Sequence, residues 1–334
     1  MFSTRITRAL KIGLAMAAIW SSPDVQAASP KAPEAIASHT PRMTDSGMFI
    51  QPSRMMRYKG AKWDYEVRVA LPKSYYTSDK SYPVLWVMDG QWVFDRAAAV
   101  TSTSMGGIPE MIVVSIGSPP DAQVEVEKRR LYDFTFTSAE VCAWSGYAAE
   151  AYRQECEGWR DLVRQMGAEA PSKLTGGAKD FLNFLIEDVR PEITRTYRTN
   201  GDDTLWGFSG GGYFCGYALL TRPEAYDRYI CASSAWYLDD RALFEVEEQY
   251  ASAHKDLKAQ VVFTMGDGEI MSHNFPGIGS GTLLMAETLR LRHYPSLDLD
   301  VYITPGGLHD GYGIEASLYF GLRKLFGQAT PAKP

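Results

Sequence analysis

The 334-residue chain is predicted to form an α/β fold, in which helices cover both faces of a mostly parallel sheet. Two observations lead to this prediction. Several short segments are apolar throughout and end at turn residues, which is typical of strands buried on both faces. Segments with helical periodicity lie between most of these strands, and this alternation indicates crossover connections between parallel strands.

The predicted strands begin with residues 63–71, where apolar and polar side chains alternate until Pro72 ends the pattern. Such alternation is typical of a half-buried antiparallel strand, which we expect at an edge of the sheet. The later strands lack alternation and are therefore expected in the parallel part of the sheet. They are predicted at residues 82–88, 110–116, 203–207, 229–233, 259–265 and 299–303.

Helices are predicted where apolar residues recur with the helical period. These segments are residues 180–197, 212–221, 283–293 and 316–326. Residues from about 130 to 177 have only weak periodicity and interrupt the alternation of strands and helices. We expect an insertion there, which either shapes the mouth of a site or forms a surface excursion without a role in it.

The N-terminal segment, residues 1–27, has the features of a secretory signal peptide. Basic residues precede the apolar stretch 12–20, and Val25 and Ala27 supply small side chains for cleavage. A membrane anchor is less favoured, because the apolar stretch falls well short of the roughly 20 residues that span a bilayer. We therefore expect a periplasmic or secreted protein without an integral membrane span once the signal is removed.

Residues 48–328 are expected to form one α/β domain. Residues 28–47 are rich in Ala, Pro, Ser and Thr, which indicates a flexible leader, and residues 329–334 form a short tail. The formal net charge of −6 and the pI near 5.5 describe a mildly acidic protein without a basic stripe. Nucleic acid is therefore not an expected partner.

The cysteine and histidine content limits the expected cross-links and metal sites. An oxidising compartment permits disulfides among the cysteines, which are Cys142, Cys156, Cys215 and Cys231. We favour a Cys142–Cys156 pair, because both residues lie in one irregular segment, and four buried thiols are the alternative. The chain has five histidines and no Cys-x-x-Cys or His-x-x-x-His cluster, so neither a structural nor a catalytic zinc site is expected.

A Gly-x-Ser-x-Gly sequence at residues 207–211 is the most specific motif in the chain. It follows a predicted strand and precedes a predicted helix, which is the context of a nucleophile elbow. In such an elbow the serine occupies a tight turn, and the two flanking glycines allow the backbone to approach closely. Ser209 is therefore the candidate nucleophile.

A serine hydroxyl needs a general base to become nucleophilic, and in α/β-hydrolases the order along the chain is serine, acid, histidine. The candidates are His39, His254, His273, His293 and His309. We favour His309, because it lies in a glycine-rich loop between the last predicted strand and the last predicted helix. A histidine in a surface loop without a catalytic role is the alternative.

The acid that orients the histidine is expected directly after the strand at residues 259–265. Glu269 is the first candidate and Asp267 the second, since both carboxylates follow this strand in a short turn. A serine-histidine pair without a nearby acid also remains open.

Two backbone amides are expected to form the oxyanion hole. Gly210 follows the nucleophile, and Gln91 lies after the predicted strand 82–88, although the Asp-Gly sequence before it also suits a plain turn. Three aromatic residues near strand ends are candidates for substrate binding, or else part of the core. They are Trp92, Trp236 and Tyr237.

The combination of four motifs, in this order, resembles the esterase-D-type family within the α/β-hydrolase fold. The motifs lie at residues 82–91, 207–211, 266–269 and 305–309, and the resemblance extends over residues 60–327. The family includes siderophore, feruloyl and acetyl-xylan esterases, S-formylglutathione hydrolases and mycolyltransferases. The resemblance implies hydrolysis of a small-molecule ester through an acyl-enzyme, without a cofactor.

The sequence leaves the ester open, between a siderophore-like and an aromatic-acid substrate. The family pattern is altered at residues 232–237 and interrupted by the segment that contains Cys142 and Cys156. Two other functions are compatible with the motifs. An acyltransferase would pass the acyl group to another hydroxyl, and an inert protein with the same fold would only bind its ligand.

Overall fold

This computed structural model describes residues 42–43, 49–50, 53–59, 63–102, 106–137, 175–272 and 277–327. An eight-stranded sheet lies at the centre of these residues. The strands are β1 (Ser53–Lys59), β2 (Asp64–Ala70), β3 (Tyr82–Val87), β4 (Ile112–Gly117), β5 (Thr199–Phe208), β6 (Arg228–Ala232), β7 (Ala259–Gly266) and β8 (Leu297–Thr304). Their order across the sheet is β8-β7-β6-β5-β3-β4-β2-β1. Neighbours from β8 to β4 are parallel, and β2 pairs antiparallel with β4 and β1. The prediction of a mostly parallel sheet is confirmed.

Helices lie on both faces of this sheet. Those among the described residues are α1 (Gly90–Thr101), α2 (Val126–Phe134), α3 (Ala178–Asn183), α4 (Arg190–Thr196), α5 (Gly210–Thr221), α6 (Leu238–Ala253), α7 (Ile278–Leu291) and α8 (Gly311–Phe326). A π-helical turn, Phe184–Val189, joins α3 to α4, so the predicted helix 180–197 is one continuous helical segment with an irregular middle. Helices α1, α2 and α6 were not predicted.

Two hydrophobic clusters, one on each face, explain why the central strands lack alternation. In β3, Leu85 and Val87 belong to the cluster shared with α1 and α8, whereas Val84 and Trp86 belong to the cluster shared with α3, α5, α6 and α7. All four side chains are at most 1% exposed. Burial of both faces therefore selects apolar residues at every position of the strand.

The predicted antiparallel strand is observed as β2, but its predicted place at the sheet edge is wrong. Strand β1, which was not predicted, pairs with β2 along its outer side. Val67 and Val69 are at most 1% exposed, and the charged Glu66 is also buried and pairs with Arg68. The polar residue in the alternating pattern therefore reflects an ion pair, which a sequence pattern does not distinguish from solvent exposure.

The start of the predicted insertion, at about residue 130, falls within helix α2. Residues up to Phe134 form the last turns of α2, which packs against α5 and α3. The weak periodicity in this region corresponds to a short helix with five charged residues in its sequence Val-Glu-Lys-Arg-Arg-Leu-Tyr-Asp-Phe. Residues 138–174, which include the favoured Cys142–Cys156 pair, lie outside the described residues.

The predicted signal peptide and the tail also lie outside the described residues. Within the predicted leader, Arg42–Met43 pairs antiparallel with Phe49–Ile50, so at least this part of the leader has regular structure. In the described ranges, no helix has the length and apolar character needed to cross a bilayer.

A disulfide links Cys215 in α5 to Cys231 in β6. Both residues are fully buried, and the bond joins the helix that follows the nucleophile turn to the neighbouring strand. The alternative that all four cysteines are thiols is therefore wrong, since two of them form this bond.

Candidate active site

Ser209 occupies the turn between β5 and α5. Its φ of 60° and ψ of −117° lie where residues other than glycine are rarely found. Gly207 makes the turn possible, because a Cβ at this position would overlap the Gly211 carbonyl group. The Ser209 amide donates to the Ala232 carbonyl oxygen at 3.0 Å, which ties the turn to β6. The turn thus holds a partly exposed hydroxyl at the carboxyl edge of the sheet.

His309 lies within hydrogen-bonding distance of the Ser209 hydroxyl. Its Nε2 is 2.9 Å from Ser209 Oγ, and its Nδ1 is 2.6 Å from Glu269 Oε1. The loop between β8 and α8 carries the imidazole, and the Phe208 ring packs against it with a centroid distance of 4.7 Å. An imidazole that donates through Nδ1 leaves Nε2 free to accept a proton from the serine.

Glu269 is fixed by two further hydrogen bonds. Its Oε2 accepts from Ser233 Oγ at 2.8 Å and from the Gly266 amide at 2.7 Å, and its side chain is only 1% exposed. Asp267, the second candidate acid, is exposed to solvent. The structure therefore brings Glu269 to the histidine and leaves Asp267 at the surface.

Ser233, at the carboxyl end of β6, was not singled out from the sequence. We expect the change Ser233→Ala to lower kcat about tenfold, because the carboxylate loses one charge-assisted hydrogen bond and keeps the one from Gly266. Steady-state kinetics on a p-nitrophenyl ester measures this effect. Ser234→Ala is the matched control, since no partner of the neighbouring Ser234 hydroxyl is found among the described residues. Equal kcat values for the two variants would contradict the role of Ser233.

Two helix N-termini meet beside Ser209. Gly210 is the first residue of α5, and Gln91 is the second residue of α1, so neither amide has a partner within its own helix. The two helix starts are in contact, since a Cβ built on Gly211 would lie 3.2 Å from Met88 Cβ and 3.4 Å from Asp89 Oδ2. The amides and dipoles of both helices therefore favour negative charge at this place.

The Gln91 side chain supports this arrangement. Its Oε1 accepts from the Ser118 amide at 3.2 Å, and its Nε2 donates to Asp89 Oδ1 at 3.4 Å. Asp89 itself has a left-handed backbone with φ of 59°. The side chain thus connects the start of α1 to the loop after β4, while the Gln91 amide remains the second candidate for the oxyanion hole.

Arg130, in α2, was not identified from the sequence, yet it lies beside the predicted oxyanion residues. Its Nε and Nη2 donate to the two carboxylate oxygens of Asp89 at 2.7 and 3.1 Å, and its Nη1 donates to Glu127 at 2.8 Å. Burial raises the pKa of the Asp89 carboxyl, and the Arg130 guanidinium opposes this rise. Burial lowers the pKa of Arg130, but the two carboxylates offset this and raise the pKa above its usual value. Arg130 therefore stays charged.

The three predicted substrate-binding aromatic residues have different environments. Trp236 is 1% exposed and donates from Nε1 to Thr282 Oγ1 at 3.0 Å, so it belongs to the core, which was the alternative to a place in the substrate pocket. Small neighbours explain its burial, since Gly216 and Gly281 leave room for the indole ring. Tyr237 is partly buried against the same cluster. Trp92 is partly exposed, and its ring lies 4.9 Å from the Arg130 guanidinium carbon.

The arrangement combines a partly exposed serine, a base in contact with its hydroxyl and a buried carboxylate that orients the base. This is the geometry required for nucleophilic attack with general acid-base catalysis. Among the described residues, no group of three histidine, cysteine or acidic side chains could hold a metal ion.

Sequence comparisons find siderophore esterases among the relatives of this chain. The ferri-bacillibactin esterase BesA of Bacillus subtilis is 26% identical over 228 residues, which are 66% of this chain and 71% of that protein. The siderophore triacetylfusarinine C esterase of Aspergillus fumigatus is 29% identical over 165 residues, which are 46% of this chain and 45% of that protein. These relatives indicate that the chain is an ester hydrolase.

Solved structures show the same fold. An IroE-like serine hydrolase from Shewanella oneidensis superposes with a TM-score of 0.64 and 23% identity, over 83% of this chain and 80% of that one. The chain therefore has the α/β-hydrolase fold. The model of the family named Esterase, described as "Putative esterase", matches residues 59–157 and 157–276, which together cover more than half of the sequence. The chain belongs to this esterase family.

Proposed function

We propose that the chain is an exported serine esterase that hydrolyses a small-molecule ester through an acyl-enzyme. The observation that carries this proposal is the continuous contact from Ser209 through His309 to Glu269, with the nucleophile in a strained turn. A serine hydroxyl without such a base is nearly inert at neutral pH.

In the proposed reaction, His309 Nε2 accepts the Ser209 proton while Oγ attacks the ester carbonyl carbon. The Gly210 and Gln91 amides stabilise the oxyanion, and Glu269 stabilises the imidazolium. His309 then donates the proton to the departing alkoxide, so that an alcohol leaves and an acyl-serine remains. Water, deprotonated by His309, attacks the acyl-serine, and the acid is released with the serine restored.

Labelling with a fluorophosphonate probe, followed by mass spectrometry of the modified peptide, tests the proposed nucleophile. We expect the mature protein to be labelled on Ser209 and to release p-nitrophenol from short-chain esters. The Ser209→Ala variant should show neither, and its circular dichroism spectrum should match that of the wild type. Labelling elsewhere, or turnover that persists in the variant, would refute the proposal.

A siderophore-like ester is the proposed substrate, because the two relatives described above are named as esterases of ferri-bacillibactin and of the siderophore triacetylfusarinine C. An aromatic-acid ester is the second possibility that the family resemblance leaves. Hydrolysis of ferri-bacillibactin and of methyl ferulate by the same preparation, followed by liquid chromatography, compares the two classes. A kcat/KM for ferri-bacillibactin at or below that for methyl ferulate would contradict the siderophore assignment.

Export to the periplasm or medium is proposed from two observations. Residues 1–27 have the pattern of a signal peptide, and Cys215 and Cys231 form a disulfide, which is typical of oxidising compartments. Mass spectrometry of the protein recovered from fractionated cells tests this location. We expect a mature N-terminus at Ala28 outside the cytoplasm, and an intact N-terminus in the cytoplasmic fraction would contradict export.

A further inference from the structure

We propose that Arg130 is a substrate-binding residue that selects esters whose acyl group carries an uncharged hydrogen-bond acceptor, such as an amide carbonyl oxygen, close to the scissile carbonyl. This inference rests on the proposed function, because it assigns a specificity to the same site.

The order of the strands separates the site into two sides. His309 and Glu269 follow β8 and β7, whereas Asp89 and Arg130 come after β3 and β4, on the other side of β5. The departing oxygen of the ester must lie next to His309, because that residue supplies its proton. The acyl group is then the part of the substrate that can extend toward Arg130.

The Arg130 guanidinium approaches the oxyanion site closely. Its Nη2 lies 3.7 Å from a Cβ built on Gly210, the residue whose amide faces the developing oxyanion. A guanidinium has five N–H groups, and the contacts to Asp89 and Glu127 use three of them. Among the described residues, one N–H on Nη1 and one on Nη2 therefore remain to meet an acceptor, and the side chain is 18% exposed.

The guanidinium is also held rigidly before any substrate arrives. Asp89 accepts from it through both carboxylate oxygens, and the rings of Trp92 and Phe134 lie 4.9 and 5.7 Å from its central carbon. A donor that is fixed in this way loses little conformational entropy when it binds an acceptor. The same contacts prevent the group from turning away toward solvent.

The charges around Arg130 decide which kind of acceptor suits it. One positive charge faces two carboxylates, Asp89 and Glu127, so the cluster has no surplus positive charge for an anionic group. A carboxylate on the substrate would approach two negative charges as well as one positive charge. An uncharged carbonyl oxygen gains the remaining N–H donors without this repulsion.

Two p-nitrophenyl esters with acyl chains of matched length test the proposal. The N-acetylglycine ester carries an amide carbonyl, and the pentanoate ester carries only methylene groups in the same place. We expect the wild type to have the higher kcat/KM for the N-acetylglycine ester, after division by the rate of hydrolysis in hydroxide. The ratio of the two corrected kcat/KM values, N-acetylglycine ester over pentanoate ester, measures the preference. In Arg130→Lys, which keeps a cation beside Asp89, this ratio should fall about tenfold, as for a lost hydrogen bond to a charged group.

Arg129→Lys is the matched control, because Arg129 is the preceding residue of α2 and instead donates to the Asp64 carbonyl oxygen at 2.8 Å. Its ratio should equal that of the wild type. If Arg130 only neutralises Asp89, Arg130→Lys will slow both esters and fluorophosphonate labelling alike, and an unchanged ratio will overturn the proposal. Turnover of both esters would at the same time leave the proposed esterase function intact.

A third ester tests the charge argument. The p-nitrophenyl monoester of succinic acid presents a carboxylate at the same chain position, and we expect its corrected kcat/KM to fall below that of the N-acetylglycine ester. A higher value would overturn the assignment of an uncharged acceptor. If Arg130→Lys does not fold, the double variant Asp89→Asn with Arg130→Gln removes both charges, and the same ratio decides the outcome.

Discussion

The change Glu269→Gln is expected to lower kcat by about 10⁴-fold, as in serine hydrolases whose triad acid is replaced by its amide. Glu269 Oε1 lies 2.6 Å from His309 Nδ1, and it fixes the tautomer in which Nε2 faces Ser209 without a proton. A glutamine can present its NH₂ group to Nδ1, and the imidazole then carries its proton on Nε2. In that state the histidine cannot accept the serine proton.

The other contacts of Glu269 make this tautomer the favoured one in the variant. The Oε2 atom accepts from Ser233 and from the Gly266 amide, so the carbonyl oxygen of a glutamine would be drawn to the same two donors. The NH₂ group is then left to face the histidine. The volume of the side chain is unchanged, and we therefore expect a folded protein with low activity.

Asp267→Asn is the matched control for this experiment. Asp267 lies two residues before Glu269 in the same turn, but it is exposed to solvent. The kcat of the Asp267→Asn variant should therefore stay within about twofold of the wild-type value. Both variants are compared by kcat at saturating p-nitrophenyl ester and by circular dichroism. A Glu269→Gln variant with more than one tenth of the wild-type kcat would show that the acid is dispensable.

Short, local patterns in the sequence singled out the residues that the structure brings together at the candidate site. Ser209 was singled out because a strand, a turn and a helix follow one another within its motif, and His309 because its loop lies between the last strand and helix. The choice between Glu269 and Asp267 stayed open, because both follow the same strand within three residues of its end. Only the turn geometry after β7 buries one of them and exposes the other.

Other features depend on contacts between distant segments, which local patterns do not encode. Arg130 meets Asp89 across 41 positions of sequence, and Ser233 meets Glu269 across 36. The sequence left Trp236 open between a substrate pocket and the core, and Gly216 and Gly281, on two different helices, create the space that buries it. The edge position of β2 was wrong because strand β1, which pairs along its outer side, was not recognised in the sequence.

Removal of the Cys215–Cys231 disulfide is expected to lower the free energy of unfolding by about 3 kcal/mol, the usual contribution of a bond that closes a loop of about 15 residues. The two cysteines are separated by 16 positions, and both are fully buried. For a domain of this size the change corresponds to a fall in Tm of about 5 °C. The double variant Cys215→Ala with Cys231→Ala and the wild type are compared by urea denaturation and differential scanning calorimetry.

The measurement is repeated in dithiothreitol to separate the covalent bond from packing. Once the disulfides are reduced, the wild type keeps its two thiols in the core, and the remaining difference from the double variant reflects only the volume of the sulfur atoms. We expect most of the 3 kcal/mol difference to disappear under these conditions. Equal stability of the two proteins without dithiothreitol would show that the bond does not stabilise the fold.

The location of the disulfide connects this stability to the active site. Helix α5 begins directly after Ser209, and Cys231 lies two residues before Ser233, which orients Glu269. The bond therefore joins the helix that follows the nucleophile turn to the strand that leads to Ser233. At 25 °C we expect kcat of the double variant to stay near the wild-type value, because the hydrogen bond from the Ser209 amide to Ala232 remains. Near the lowered Tm, the variant should lose activity at a lower temperature than the wild type. The stabilisation persists only where the disulfide stays oxidised, as it does outside the cytoplasm.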